Sequence, residues 1–225
     1  MKVGDIEITF LGHSGFLITG LSGLKIVIDP FNIKKNFKAD IILITHSHYD
    51  HCSLADIEKL VKDNTKLVIP INASSKLNKI KNSDKLKVNV VKPGIKLKVD
   101  EVPIYSFPAY NVNKSNHPIE EGWMGYIIKL GDVTIYHAGD TDLIPEMSNL
   151  EYVKEDSKIF IMMLPVSGGP VMDLNQAFEL VSKIKPTIAI PMHYGEILGT
   201  VDDAFKFKEL CESKGIRCEV LEKCE

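Results

Sequence analysis

Thr45-His46-Ser47-His48-Tyr49-Asp50-His51 decides the reading of this chain. It directly follows the apolar run Ile41–Ile44, so it reads as a loop leaving the end of a buried strand. His46, His48, Asp50 and His51 fall within six residues. Imidazole and carboxylate are natural ligands of divalent transition metals. His46 and His48, two apart, can point the same way in an extended turn. A bend can aim Asp50 and His51 at a second ion about 3.5–4 Å from the first. A solvent-exposed histidine-rich loop is the plain alternative, and it leaves the strand-end position and the paired acid unexplained.

Two further segments follow the same grammar. Val133–Tyr136 runs into His137-Ala138-Gly139-Asp140-Thr141, and Ile188–Ile190 runs into Pro191-Met192-His193-Tyr194-Gly195. In α/β sheets, ligand sites gather beyond the carboxyl ends of strands. Three such ends, each delivering a His or an Asp, predict one shared site. Other strands are predicted at Ile6–Phe10, Gly15–Ile18, Leu24–Ile28, Leu67–Ile69, Ile104–Phe107 and Ile159–Leu164, with a Gly131-Asp132 hairpin joining Gly125–Lys129 to Val133–Tyr136. Capping patterns at Ser53/Asp56, Asp173/Gln176 and Thr200/Asp203 open helices over Leu54–Val61, Leu174–Ile184 and Val201–Ser213. Strands come in two batches, each followed by helix, without a linker or repeat. That order predicts one α/β domain, residues 1–225, built of two sheets with outer helices.

Composition bounds the function. The 225 residues carry a net charge of −3, with 44% hydrophobic and 25% charged residues, as in a soluble globular protein. No bulk positive field would draw the chain to nucleic acid or anionic lipid, so neither partner is expected. No run approaches the roughly 18 apolar residues of a membrane span. Asp5 and Glu7 interrupt the place of a signal peptide, so the expected location is cytoplasmic. Cys52, Cys211, Cys218 and Cys224 form no C-x-x-C pair, and no disulfide framework is expected. A homo-oligomer is left open.

His46-x-His48-x-Asp50-His51, then Gly139-Asp140, then His193 resemble the metal motifs of the metallo-β-lactamase superfamily. The resemblance runs from Leu11-Gly12-His13-Ser14 and Ile28-Asp29-Pro30 to Met192-His193-Tyr194, nearly the whole chain. These segments look closest to a small branch of metal-dependent hydrolases that resembles the ascorbate-6-phosphate lactonases. The resemblance implies an αββα sandwich of two mixed β-sheets, with two divalent ions, zinc or manganese, at one edge. It assigns His46 and His48 to the first ion, Asp50, His51 and His193 to the second, and Asp140 to both. A third histidine expected on the first ion is missing, because Ile104–Phe107 ends in Pro108-Ala109-Tyr110-Asn111. His117 is the one histidine left in that stretch. It is either the replacement ligand or a lid residue that touches substrate.

The implied activity is metal-dependent hydrolysis of an ester, lactone or phosphodiester in a small, anionic substrate, by water that the ions activate. The catalytic candidates are Asp50, Asp140 and His137, the last as a substrate contact or a support for the ligands. His13 is either a turn residue or a partner of a ligand or substrate. Asp29 is either a strand-end cap or the group that orients a ligand histidine. Cys52 reads as a small buried residue. Asn111, Asn113 and Lys114 lie in a polar loop that either covers the site and binds an anion or is merely flexible. The leaving-group proton would come from water, His13, His137 or Tyr194. A nuclease of the same fold and a non-catalytic metal-binding regulator remain the alternatives.

Overall fold

The computed structural model describes residues 1–224. Strands β1 (Lys2–Val3), β2 (Ile6–Gly12), β3 (Gly15–Gly20), β4 (Lys25–Ile28), β5 (Ile41–Leu43), β6 (Thr65–Pro70) and β7 (Leu86–Val91) form the first sheet, in that order. Its first four strands are antiparallel neighbours, and the pairs from β4 to β7 are parallel. The second sheet holds β8 (Lys96–Val99), β9 (Val102–Pro108), β10 (Met124–Leu130), β11 (Val133–His137), β12 (Ile159–Pro165) and β13 (Ile188–Met192), in reverse order across the sheet. Its β11, β12 and β13 run parallel. Helices α1 (Leu54–Leu60), α2 (Leu150–Glu155), α3 (Leu174–Ile184) and α4 (Val201–Ser213) complete the expected αββα arrangement.

The layers follow from side-chain alternation. Ile6, Ile8 and Phe10 on β2 are buried while Glu7 between them is exposed. Their face joins Phe16, Ile26 and Ile41 in a core shared with Tyr126, Tyr136, Ile161 and Ile188 of the second sheet. Val27, Ile42, Ile44 and Leu67 point the other way, onto Ile57 and Leu60 of α1. β5 is therefore buried on both faces, which is why its sequence shows no alternation.

The capping patterns hold. Asp173 and Gln176 form a reciprocal box at α3, and Thr200 and Asp203 another at α4. At α1 only the Ser53 half forms, because the Asp56 carboxylate is taken by the Asn32 and Ile33 amides, Ser53 Oγ and Lys59. β7, β8 and α2 were not expected from sequence. β7 and β8 are edge strands in which Lys87, Lys96 and Lys98 face solvent. Such lysines block edge-to-edge pairing. Among the described residues no helix is long and apolar enough to cross a membrane. Cys52, Cys211 and Cys218 are buried thiols outside any disulfide. Burial pushes the Cys52 thiol up to about 11, which keeps it inert.

Candidate metal centre

The carboxyl ends of β5, β9, β11 and β13 and the turn between β2 and β3 open on one edge of the sandwich. Backbone geometry fixes that convergence. Gly139 has φ +65°, and a Cβ there would lie 2.8 Å from the Met124 carbonyl. A Cβ on Gly125 would lie 2.4 Å from the His137 carbonyl. These two glycines let the loop after β11 lie against β10 and aim Asp140 inward. His13, Asp29 and His193 take positive φ of 53°, 43° and 59°, at a cost on the order of 1–3 kcal/mol each. The His193 N–H donates to the His13 carbonyl (2.7 Å), which ties the two sheet ends together.

Asp140 is the hub. Its Oδ2 lies 3.1 Å from His193 Nε2, 3.3 Å from His117 Nε2 and 3.8 Å from His46 Nε2, and its Oδ1 lies 3.4 Å from His51 Nε2. Around it stand two groups of ligand atoms, His46, His48 and His117, and His13, Asp50, His51 and His193, joined by a third set, Asp29, His46 and His51, that overlaps both. Within each group the ligand atoms lie within 4.8 Å of one another.

The far ring nitrogens are held. His51 Nδ1 donates to Asp29 Oδ2 (2.8 Å). Thr45 Oγ1 donates to the same oxygen (2.6 Å) and takes the Nδ1–H of His46 (2.9 Å). The Thr45 amide occupies Asp29 Oδ1 (2.8 Å). One buried carboxylate thus orients a histidine in each group. His193 Nδ1 meets Ser167 Oγ (2.9 Å), and His117 Nδ1 donates to the Pro170 carbonyl (2.9 Å), with Asn111 Oδ1 at 3.2 Å. These bonds select the tautomer whose Nε2 lone pair faces the centre.

The residues fit divalent ions. His51 Nε2, His117 Nε2 and Asp140 Oδ1 are buried without a hydrogen-bond partner among the described residues, although each faces other polar atoms. Buried polar atoms are rarely left so. Ligands about 2.0–2.2 Å from one ion sit roughly 3.0–3.5 Å apart, close to the spacings around Asp140. Electrostatics agree. Burial opposes charge on Asp140, but His193 and His51 outweigh it and hold the carboxyl well below its usual range. Burial also opposes charge on His51, yet Asp140 and Asp29 prevail and raise its pKa well above the ordinary value. Burial lowers His46 strongly and lowers His48, which leaves both rings neutral and able to bind metal.

Other expected residues lie elsewhere or serve differently. His137 does not face the centre with a free nitrogen. Its Nε2 donates to the Ser14 carbonyl (2.9 Å), and its Nδ1 accepts from the Gly139 amide (3.2 Å). Tyr194 is buried with its ring stacked on Phe10, and burial pushes its hydroxyl up to about 12. Lys114 is not a free anion contact. Its ammonium is taken by Asp142 and by the Val171 carbonyl (2.8 Å), so it pins the loop that carries His117. Sequence reasoning missed Trp123, whose ring lies 5.0, 4.8 and 5.4 Å from those of His46, His48 and His117. It also missed Ser167. Neither residue has a spacing signal; only the chain's lone tryptophan so near a metal-ligand stretch could have drawn notice.

Comparison with known proteins places the chain in a family. Residues 7–193 match the beta-lactamase superfamily domain. The chain is 34% identical over 221 residues, 98% of each chain, to a UPF0173 metal-dependent hydrolase of Nanoarchaeum equitans. The crystal structure of a Parabacteroides distasonis protein superposes with a TM-score of 0.81 at 29% identity, covering 98% of this chain and 94% of that one. A metallo hydrolase from Ignicoccus hospitalis does so with a TM-score of 0.76 at 27% identity, covering 98% and 96%. The chain belongs to the beta-lactamase superfamily, in the branch of the UPF0173 metal-dependent hydrolases.

Proposed function

We propose that this protein is a binuclear metal-dependent hydrolase of a small molecule. His46, His48 and His117 would hold the first ion, Asp50, His51 and His193 the second, and Asp140 both. The observation that carries the reading is the position of Asp140 between the groups, with Oδ2 against His117 and His46 of the first and His193 of the second, and Oδ1 against His51 of the second. Two divalent ions, zinc or manganese, would supply a water acidified toward neutrality and positive charge for a developing oxyanion. His117 thereby takes the ligand role left open by sequence rather than that of a lid.

The protein's own groups divide the remaining work. Asp29 and Thr45 fix two ligand rings, Ser167 a third, and Asn111 with the Pro170 carbonyl a fourth. Asp50 and Asp140, as ligands, are not free to protonate a leaving group. His137, with both nitrogens on backbone groups, holds the Gly139-Asp140 turn rather than moving a proton. Tyr49, 67% exposed between two ligands, meets Phe31 edge-on at 5.9 Å and offers an aromatic wall beside the site. With Lys114 engaged, recognition of an anionic substrate falls to the ions. The bond cleaved is read as an ester, lactone or phosphodiester, in a cytoplasmic setting.

The test is elemental analysis after reloading with zinc or manganese, followed by a panel of lactones, carboxylic esters, phosphodiesters and single-stranded RNA. Two ions per chain and turnover of a small substrate are expected. No stoichiometric metal would refute the centre. Full loading with RNA cleavage alone would establish the nuclease, and full loading without turnover would leave a metal-binding regulator.

A further inference from the structure

His13 sits where a side chain would ordinarily face water, in the two-residue turn between β2 and β3. Instead it is fully buried, with φ +53°. Its ring lies 4.2 Å from that of His193 and 5.1 Å from that of His51. The clasp between its carbonyl and the His193 amide (2.7 Å) fixes its distance from the last ligand of the second group.

We propose that His13 is a further ligand of the second ion, binding through Nε2 beside Asp50, His51, His193 and Asp140. The inference rests on the binuclear reading. His13 Nε2 lies 3.0 Å from Asp50 Oδ2. That oxygen also lies 3.7 Å from the bare His51 Nε2. His13 therefore meets Asp50 on the oxygen shared with another ligand. His193 and His117 stand the same way toward Asp140, at 3.1 and 3.3 Å. One ligand atom each from His13, Asp50, His51 and His193 falls within 4.8 Å of the rest. The Nδ1 of His13 is buried without a partner among the described residues, whether the ring binds an ion or only donates to Asp50, so it favours neither role.

The consequence is an asymmetric centre. The second ion would have five protein groups and the first four, so the more open position for water and substrate lies at the first. Zinc prefers four ligands, and a five-ligand position favours ions that accept more.

The experiment titrates cobalt(II) into the full-length wild type, His13→Ala and His13→Gln. Affinity is read for each ion, and hyperfine-shifted imidazole N–H resonances are counted by NMR. Glutamine can still donate to Asp50 Oδ2, so it separates a hydrogen-bonding role from ligation. Circular dichroism confirms that each variant is folded, and Trp123 fluorescence under zinc reports the first ion separately. The expected result is one imidazole resonance fewer in both variants. Second-ion affinity should fall beyond the roughly 10–100-fold typical of losing an outer hydrogen-bond partner. An unchanged resonance count, or wild-type affinity in His13→Gln, overturns the proposal and leaves His13 as the group that positions Asp50. A wild type that binds no ion overturns the binuclear reading as well, which distinguishes the two failures.

Discussion

The two halves of the centre are built differently. The second group takes Asp50 and His51 from the loop after β5, with His51 held by Asp29 at the end of β4, and adds His193, one residue past β13, and His13, one residue past β2 and clasped to His193 through the backbone. The first group takes His46 and His48 from the loop after β5 but borrows His117 from the long connection between β9 and β10. That connection is held by both backbone and side chains: the Asn111 amide donates to the His117 carbonyl (2.7 Å) and the Asp142 amide to the Tyr110 carbonyl (3.0 Å), while the Asn111 side chain donates to the Pro170 carbonyl (2.8 Å) and Lys114 reaches Asp142 and the Val171 carbonyl. Strand-end ligands are pre-placed by sheet pairing, whereas a loop ligand is only as well placed as its tethers. The second position should therefore fill first, and the first should depend on loop order.

The strongest break in this comparison is to remove what both halves share. Asp140→Ala should abolish binding of both ions and lower turnover on the order of 10³-fold or more, since the ions supply several kcal/mol of transition-state stabilisation. The fold should survive, because Asp140 lies at the edge of the sandwich and not in the apolar core. Elemental analysis and circular dichroism check both outcomes. Retention of two ions would show that the halves are independent.

A smaller effect separates them. His117→Ala should lose the first ion and keep the second, with the zinc-induced change in Trp123 fluorescence disappearing. Lys114→Met should weaken the first ion more mildly, by roughly the 10–100-fold seen when outer partners are lost. Equal losses at both positions in either variant would erase the proposed difference.

The smallest effect concerns pH in the metal-free protein. The folded pKa of His51 lies above its unfolded value of 6.5, held there against burial by Asp140 and Asp29. Its contribution to stability is fully present below pH 6.5 and is lost as pH rises through the raised folded pKa. Metal binding must displace the same proton, so loading should strengthen with pH over that window. Thermal melts of the metal-free protein, paired with metal affinities across neutral to alkaline pH, test this. A melting temperature that does not fall on the alkaline side would contradict the assignment of charge to His51.

Much of this was legible in the residues. Ile41–Ile44, Val133–Tyr136 and Ile188–Ile190 announced buried strands, and their ends delivered His46, His48, Asp50, His51, Asp140 and His193 to one edge. β7 and β8 were passed over although both alternate apolar and polar residues, because neither edge strand has a continuous apolar run as long as those of the central strands. For His137 the residues left two readings open, a substrate contact or a support for the ligands. Sequence shows that an imidazole lies three residues before Asp140, but not that both its nitrogens are taken by the Ser14 carbonyl and the Gly139 amide.

By itself, then, the sequence determined the ligand types and the strand ends that carry them, since local alternation and residue chemistry encode both. The tertiary structure decided which rings face the centre and in which tautomer. His117 turns inward through the Pro170 carbonyl, 53 residues away, and Asp29 fixes His51 from 22 residues away. His13 enters through its clasp with His193. Contacts between positions so far apart leave no periodic trace in the chain, because they exist only after the two sheets have packed.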